Sequence, residues 1–290
     1  MRFTVTAEYD GIKAGRYLRT VCKLSARTLS LLKKTESSVT ADGKLLRTID
    51  ILKEGNVVEI RLPDEQNPIE PVKGELDVLY EDSWLLIVNK PANMPVHPVK
   101  SHQTDTLANI IAYRYTKLQS EFVFRAVNRL DRDTTGIVII AKDRHTASVM
   151  QNTEVEKHYF ALCHGCVPEG GTVDAPIRLS DDSKIVRITA SDGQKAITHY
   201  KNIRKFTDAS LVELVLETGR THQIRCHMSS IGHPLLGDDL YGGSVDLISR
   251  QALHCCSVSF IHPFTNNKVD VCCDLPVDMS ELADKLDLCK

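Results

Sequence analysis

Apolar residues in this chain fall into two rhythms, and the alternation between them outlines a fold before any chemistry is considered. Gly136-Ile-Val-Ile-Ile-Ala141 is a short β-branched run bounded by Gly136 and Lys142, which predicts a buried strand and not a helix. Leu211 to Leu216 alternates as a strand does. Trp84 to Asn89 and Tyr159 to Cys163 are further short apolar runs, the second ending near the turn-forming Pro168-Glu-Gly-Gly171. Helical spacing appears over Thr106 to Leu118 and over Asp143 to Glu154, with Asp143 as a cap. It appears again at Ile224, Met228 and Ile231, where Thr221 is placed as the cap and Gly232 as the stop. Near the start, Leu18, Val21, Leu24, Leu29 and Leu32 give Gly11 to Thr35 a helical period, and the acidic, amphipathic Val277 to Lys290 predicts a closing helix. Helices and strands mix without a regular βαβ rhythm. The expectation is an α+β protein whose larger part is a mixed, mostly antiparallel sheet flanked by helices.

The polar residues bordering these runs carry the candidate chemistry. Arg129-Leu-Asp-Arg-Asp-Thr-Thr-Gly136 places Asp131 between two arginines on the loop that feeds the buried strand. Loops fixed on a rigid scaffold are where binding and catalytic groups concentrate, although arginine and aspartate interleave on plain solvated surfaces as well. Thr218-Gly-Arg-Thr-His-Gln-Ile-Arg-Cys-His-Met228 repeats the theme after the strand at Leu211 to Leu216. Arg225 lies off the apolar stripe of that helix and shares a face with Thr221, so its guanidinium projects from the first turns toward the strand ends; an ordinary amphipathic helix with exposed polar residues has the same pattern.

Composition narrows the class. The 290 residues are 42% hydrophobic, enough for one large core and one small one. No window approaches the roughly 18 consecutive apolar residues of a membrane span, and the first residues lack the apolar run of a signal peptide, so a cytoplasmic protein without membrane partners is expected. Nine cysteines are an odd number. Cys255-Cys256 and Cys272-Cys273 are adjacent pairs in apparent strands, which predicts one core member in each. Cys163-His-Gly-Cys166 has zinc-like spacing but no second Cys-x-x-Cys, so reduced thiols and no metal are expected. The net charge is −2, but from Gly11 to Thr35 there are seven basic residues (Lys13, Arg16, Arg19, Lys23, Arg27, Lys33 and Lys34) and no acidic one. Such a stretch gives salt-dependent affinity for a polyanion without sequence choice, where a solvated helix face would usually carry counter-charges.

Taken together, these motifs resemble the RluA-type pseudouridine synthases, which isomerise uridine in ribosomal and transfer RNA. Asn128-Arg-Leu-Asp-Arg-Asp-Thr-Thr-Gly136 is similar to the family's signature around its catalytic aspartate, with Asn128 in place of histidine and Thr135 in place of serine. Ile87-Val-Asn-Lys-Pro-Ala-Asn-Met-Pro-Val-His-Pro98, Glu156-Lys-His-Tyr-Phe-Ala161, the block from Thr218 to Tyr241, and Leu253-His followed by His262-Pro263 are similar too. The blocks keep the family's order between about residues 75 and 265.

The resemblance implies the pseudouridine synthase fold and an isomerisation in which the bond from ribose to the base nitrogen breaks, the uracil turns, and carbon 5 is joined instead. No cofactor is implied, because no redox change or phosphoryl transfer occurs. Asp131 is the implied essential acid, as nucleophile at the ribose or as a base leading to a glycal-like intermediate. Arg225 is its implied ionic partner. Tyr159 is implied to stack on the uracil and to accept the carbon 5 proton directly or through water. Arg129 is implied to fill the gap left when the uridine is flipped out, and Leu253 to wall the uracil pocket.

The N-terminal segment resembles the small α/β RNA-binding domain of a ribosomal small-subunit protein. Gly15-Arg-Tyr-Leu18 and Leu24-Ser-Ala-Arg27 fit its helices and Leu52 to Ile60 its closing hairpin, with Tyr17 replacing an aspartate and Ala41-Asp-Gly replacing Val-Asn-Gly. The expected organisation is an RNA-binding domain over 1–62, a proline-rich and acidic linker over 63–74, and a catalytic domain over 75–290. Arg16, Arg19, Lys23, Arg27, Lys33 and Lys34 are the expected RNA-binding cations, with ribosomal or transfer RNA as partner and a monomer as the working state. Two alternatives are a non-catalytic RNA-binding descendant and a metal-assisted phosphoesterase built on Asp131, Asp133, Asp238 and Asp239.

Overall fold

A computed structural model describes residues 1–33, 35, 38–62, 69–120 and 122–288. Strand β1 (Arg2–Thr4), helices α1 (Ala14–Thr20) and α2 (Ala26–Leu32), and strands β2 (Val39–Ala41), β3 (Lys44–Leu45) and β4 (Val57–Ile60) come first. The strands form an antiparallel sheet in the order β1-β4-β2-β3. The helical stretch expected from Gly11 to Thr35 is two helices, because Lys23 adopts φ 57° and Ser25 caps α2 by accepting the Thr28 N–H at 3.0 Å. Asp42 and Gly43 both have positive φ, the geometry of a two-residue hairpin turn, and join β2 to β3. The hairpin expected over Leu52 to Ile60 is not formed. Only Val57–Ile60 is a strand, and it lies between β1 and β2, which pair with it on either side. Val5, Tyr17, Leu18, Leu52, Val58 and Ile60 are buried in an apolar cluster belonging to this unit.

The second sheet has ten strands. Its elements in chain order are β5 (Asp77–Glu81), β6 (Leu85–Lys90), α3 (Leu107–Lys117), β7 (Arg125–Ala126), β8 (Thr135–Ala141), α4 (Arg144–Met150), β9 (Glu156–His164) and β10 (Gly170–Asp174). A two-stranded excursion, β11 (Ile177–Leu179) with β12 (Arg187–Thr189), precedes β13 (Ile197–Lys205), β14 (Ala209–Leu216), α5 (Gln223–Ser230), β15 (Leu253–Ile261), β16 (Lys268–Cys272) and α6 (Val277–Leu288). The order is β10-β13-β14-β9-β15-β8-β6-β5, with β16 on β15 and β7 on β8. The pairing of β8 with β15 is parallel and the other pairings of this sheet among the described residues are antiparallel.

Every residue of β8 is buried, as its unbroken apolar run requires when both faces are covered. Leu107, Ile111 and Tyr115 of α3 pack into the same core. Asp143 caps α4 by accepting the Thr146 N–H at 2.8 Å. On α6, Met279, Leu282 and Ala283 pack with Leu162, Phe206 and Leu236. Cys255 and Cys256 are both buried, contrary to the expectation of one core member, because the register with β9 slips between Cys255 and Ser257. Cys272 is exposed and Cys273 half-buried. Among the described residues no helix is long and apolar enough to cross a membrane.

Candidate active site

The loop from Asn128 to Thr134 is short of regular structure yet tied at almost every residue. The Asn128 amide acts as an added rung on β8, donating to the Ile137 carbonyl at 3.0 Å and accepting the Ile139 N–H at 2.8 Å. Lys90, at the end of β6, is fully buried and donates to the carbonyls of Pro91, Met94 and Arg132 at 2.8, 2.8 and 2.9 Å. Three acceptors match the three N–H bonds of an ammonium group. Burial pushes Lys90 down to about 7, against the pull of Asp133 and Asp131 and with Arg250 reinforcing it. On the other side, Arg250 donates to the Asp133 carbonyl at 3.1 Å while its Nε and Nη2 hold Asp278 of α6 at 2.7 and 2.8 Å. Thr135 is bonded to His254 Nδ1 at 2.8 Å. Gly136 follows with φ +107°, and a Cβ there would stand 2.2 Å from the Cys255 carbonyl of β15. Only glycine permits this close parallel approach.

The second wall is the turn from β14 into α5. Thr221 does not cap the helix. His222 occupies the N-cap position in the left-handed region (φ 56°) without a side-chain cap bond. The turn is held instead by Gln223, whose Oε1 accepts from Thr218 Oγ1 and from the Arg220 N–H, and whose Nε2 reaches the Ile197 carbonyl and Thr198. At the far end Gly232, with φ +84°, stops the helix as expected. Its N–H donates to the Ser229 carbonyl and that of His233 to the Met228 carbonyl.

Arg225 projects from the first turn of α5, but it is buried and not on an open polar face. Its Nε and Nη2 each donate to Asp238 at 2.7 Å, a two-point pair, and its Nη1 donates to Asp131 Oδ2 at 3.1 Å. The guanidinium lies 5.0 Å from the Tyr241 ring centroid. Burial opposes its charge, but Asp238 and Asp131 outweigh burial and hold the group well above its ordinary value. Asp238 is wholly buried and gives both oxygens to Arg225, while Asp133 pairs with Arg132 at 3.0 Å. Three of the four carboxylates of the phosphoesterase reading, Asp131, Asp133 and Asp238, are therefore engaged with guanidinium groups.

Loop and helix meet at a cleft holding about 360 Å³ of empty space, part of it open to solvent. Asp131, with a quarter of its side chain exposed, faces it. Tyr159 of β9, Leu253 of β15, Leu130, Leu216 and Ile224 line its apolar part, and Thr134, His222 and Gln223 its polar part. Burial, with Cys255 and Asp131 adding to it, keeps the Tyr159 phenol well above its ordinary pKa, so it retains its proton at neutral pH. Arg129 and Arg220 are exposed residues that also line the cleft. The structure thus brings Asp131, Tyr159, Arg225, Arg129 and Leu253 around one cavity. Arg16, Arg19, Lys23 and Lys33 are exposed on the N-terminal unit and do not line it, whereas Lys34 and the side chain of Arg27 lie outside the described residues. Sequence reasoning missed Lys90, Arg250 and His222 and read Asp238 only as a metal ligand. Lys90 had one signal, a lysine closing a buried apolar run.

This arrangement sets a carboxylate paired with a buried guanidinium beside apolar side chains in one cleft. The chain is similar to known proteins. A family model described as RNA pseudouridylate synthase matches residues 84–230. The protein named uncharacterized RNA pseudouridine synthase YjbO of Bacillus subtilis is 41% identical over 268 residues, 89% of this chain and 94% of its own. Ribosomal large subunit pseudouridine synthase D of Zymomonas mobilis is 36% identical over 306 residues, 96% and 95% of the two chains. Among solved structures, human RNA Pseudouridylate Synthase Domain Containing 4 superposes with a TM-score of 0.59 at 26% identity, covering 72% of this chain and 92% of that one.

Proposed function

The chain belongs to the RNA pseudouridylate synthase family, isomerases that convert uridine in RNA to pseudouridine, and from that premise we propose that Asp131 is the essential carboxylate and works without a cofactor. The observation that carries this is the Asp131 carboxylate held by buried Arg225 at 3.1 Å on the floor of a cleft walled by Tyr159 and Leu253. Arg225 sets a positive charge against the carboxylate where a bound base would displace its water. The ribose then meets Asp131, either as a nucleophile or as a base that opens the glycal route.

Tyr159 stacks on the uracil. Because its phenol keeps its own proton, it takes the carbon 5 proton only as its hydroxyl proton passes to water in the cleft. Leu253 packs against the base edge. Arg129 fills the stack that the flipped uridine leaves, an exchange that offsets an extrusion cost of about a few kcal/mol. In this reading residues 1–62 are an RNA-binding domain, 63–74 a linker and 75–290 the catalytic domain of a monomer. Arg16, Arg19, Lys23 and Lys33 contact phosphates, and so do Arg27 and Lys34. Ribosomal large-subunit RNA is the favoured substrate, since the Zymomonas relative is named for it.

Tritium release from RNA labelled at carbon 5 of uridine tests the reading. Wild-type protein dialysed against EDTA is expected to release tritium undiminished, and Asp131→Asn to bind the same RNA but release none. Turnover by Asp131→Asn would refute the role of the carboxylate, and loss of activity with EDTA would refute metal independence.

A further inference from the structure

His222 is the one residue at the cleft whose placement strains the backbone. Among the described residues of the cleft wall it alone combines a side chain with φ in the left-handed region, a conformation usual for glycine and tolerated by asparagine. Strain of this kind persists when the surroundings over-determine it, and here they do. The ring stands edge-on to Tyr241, with centroids 5.7 Å apart and planes at 87°, and its Nδ1 lies 3.0 Å from the Tyr241 hydroxyl. That hydroxyl already accepts the Arg187 N–H at 2.9 Å. Its own hydrogen therefore needs an acceptor, and among the described residues His222 Nδ1 is the one within reach. The assignment leaves the imidazole proton on Nε2.

The Nε2 edge points at the reacting group, 3.7 Å from Asp131 Oδ2. The same Oδ2 accepts from Arg225 Nη1 at 3.1 Å, so both neighbours address one oxygen and, among the described residues, no hydrogen bond engages Oδ1, which is left to the ribose. A separation of 3.7 Å is not yet a hydrogen bond, but catalytic hydrogen bonds are often long without substrate and tighten in the complex. We propose, on the reading of Asp131 given above, that His222 is a positioning residue whose Nε2–H donates to Asp131 Oδ2 when RNA is bound, fixing the carboxylate so that Oδ1 meets the ribose. The charged and titratable groups around the ring are Asp131, Arg225, Asp238, Arg187 and Tyr241. Burial lowers the pKa of the imidazole, with Arg225 and Arg187 adding to this and Asp131 and Asp238 opposing it, so the ring is neutral at neutral pH. The Tyr241 phenol, pushed up to about 12 by burial, keeps the hydrogen that it donates.

Two amides of different reach separate this role from packing. His222→Asn suits the left-handed backbone and places its amide where Nδ1 stands, within range of Tyr241 but short of Asp131. His222→Gln carries an N–H out to the Nε2 position. Single-turnover tritium release from a labelled large-subunit ribosomal RNA transcript is expected to slow about 10- to 100-fold in His222→Asn, the range for one lost hydrogen bond to a charged group. RNA affinity should stay within about twofold of wild type, as expected when only reaction-state alignment is lost. His222→Gln should recover most of the rate. The proposal falls if His222→Asn keeps the wild-type rate, if its rate loss is matched by lost RNA affinity, or if His222→Gln is as slow as His222→Asn. Asp131→Asn in the same assay distinguishes the two levels: an inactive Asp131→Asn beside a fully active His222→Asn sinks the positioning role alone, whereas an active Asp131→Asn sinks the reading beneath it.

Discussion

Arg225 and Asp131 share a hydrogen bond, yet they stand in different balances of burial and charge, and mutation should expose the difference. Arg225 is buried between two carboxylates, one of which, Asp238, has no contact with solvent. Removing the guanidinium strands a buried charge, a change that costs about 3 to 5 kcal/mol when a buried pair loses one partner. Asp131 keeps a quarter of its side chain in solvent and has one bond to lose. Urea unfolding should therefore show Arg225→Ala destabilised by about 3 to 5 kcal/mol and inactive in tritium release, with Asp131→Asn inactive but within about 1 kcal/mol of wild type. Equal destabilisation of the two would mean that Asp131 is a structural anion and not a reactive one. The sequence put Arg225 beside Asp131 only through resemblance. Nothing in its helical spacing announces Asp238, which lies 13 residues on in an irregular segment and turns an apparently polar helix face into a buried ion pair.

Elements were more legible than their fastenings. The strands β6, β8, β9 and β14 declared themselves because β-branched or alternating runs admit little else, and α3 and α4 because their apolar positions keep one period. The entry into α5 was misread for a physical reason: local sequence favoured Thr221 as a cap, but Gln223 satisfies the turn from its side chain and His222 is drawn into the left-handed region toward Tyr241, a partner about a score of residues away. The clamp on the Asp131 loop was equally hidden, since the acceptors of Lys90 are backbone carbonyls on two separate loops and sequence carries no sign of them. That clamp makes a prediction of its own. Lys90→Met keeps the volume and removes three donors, leaving the Pro91, Met94 and Arg132 carbonyls to relax. A displacement near 1 Å at a reacting group can lower a rate by as much as about 100-fold. Single-turnover release by Lys90→Met should fall at least about 10-fold while RNA affinity holds, and an unchanged rate would show that Arg250 and Asn128 suffice to place the loop.

At the scale of the whole molecule, the question is how the N-terminal cations are held relative to the cleft, and the contacts between the two sheets answer it. Phe3 of β1 packs against Trp84 and Phe264, and the buried His145 of α4 donates from Nε2 to the Cys22 carbonyl that follows α1. Beside them Asp82, 3.1 Å from His262, is kept well below the usual carboxylate range: burial opposes its charge, but the neighbouring His262 and hydrogen bonds from Tyr80 and the Leu85 and Trp84 N–H groups prevail. Burial likewise holds His145 below the ordinary 6.5, against the Cys22 carbonyl and Asp143, so the docked imidazole is neutral. An undocked His145 gains a proton below about pH 6.5. Docking is therefore at full strength above that pH and weakens as pH falls. Hydrogen exchange in α1 and α2, corrected for intrinsic rates, should accelerate between pH 7.5 and 5 in wild type and not in His145→Gln, which keeps a donor but cannot titrate. The same pH response in both would place the sensitivity elsewhere.

On the proposed reading, the N-terminal unit brings its charge into substrate binding. Each phosphate neutralised contributes about −0.7 to −0.9 to the slope of log affinity against log salt. Replacing Arg16, Arg19, Lys23 and Lys33 together by alanine should flatten the slope by up to about 3.6 and weaken RNA binding at low salt, while single-turnover release at saturating RNA stays unchanged, because none of the four lines the cleft. A slope that does not move would mean the RNA lies across the ten-stranded sheet alone, and a slower saturated rate would mean the unit shapes the cleft as well as filling it.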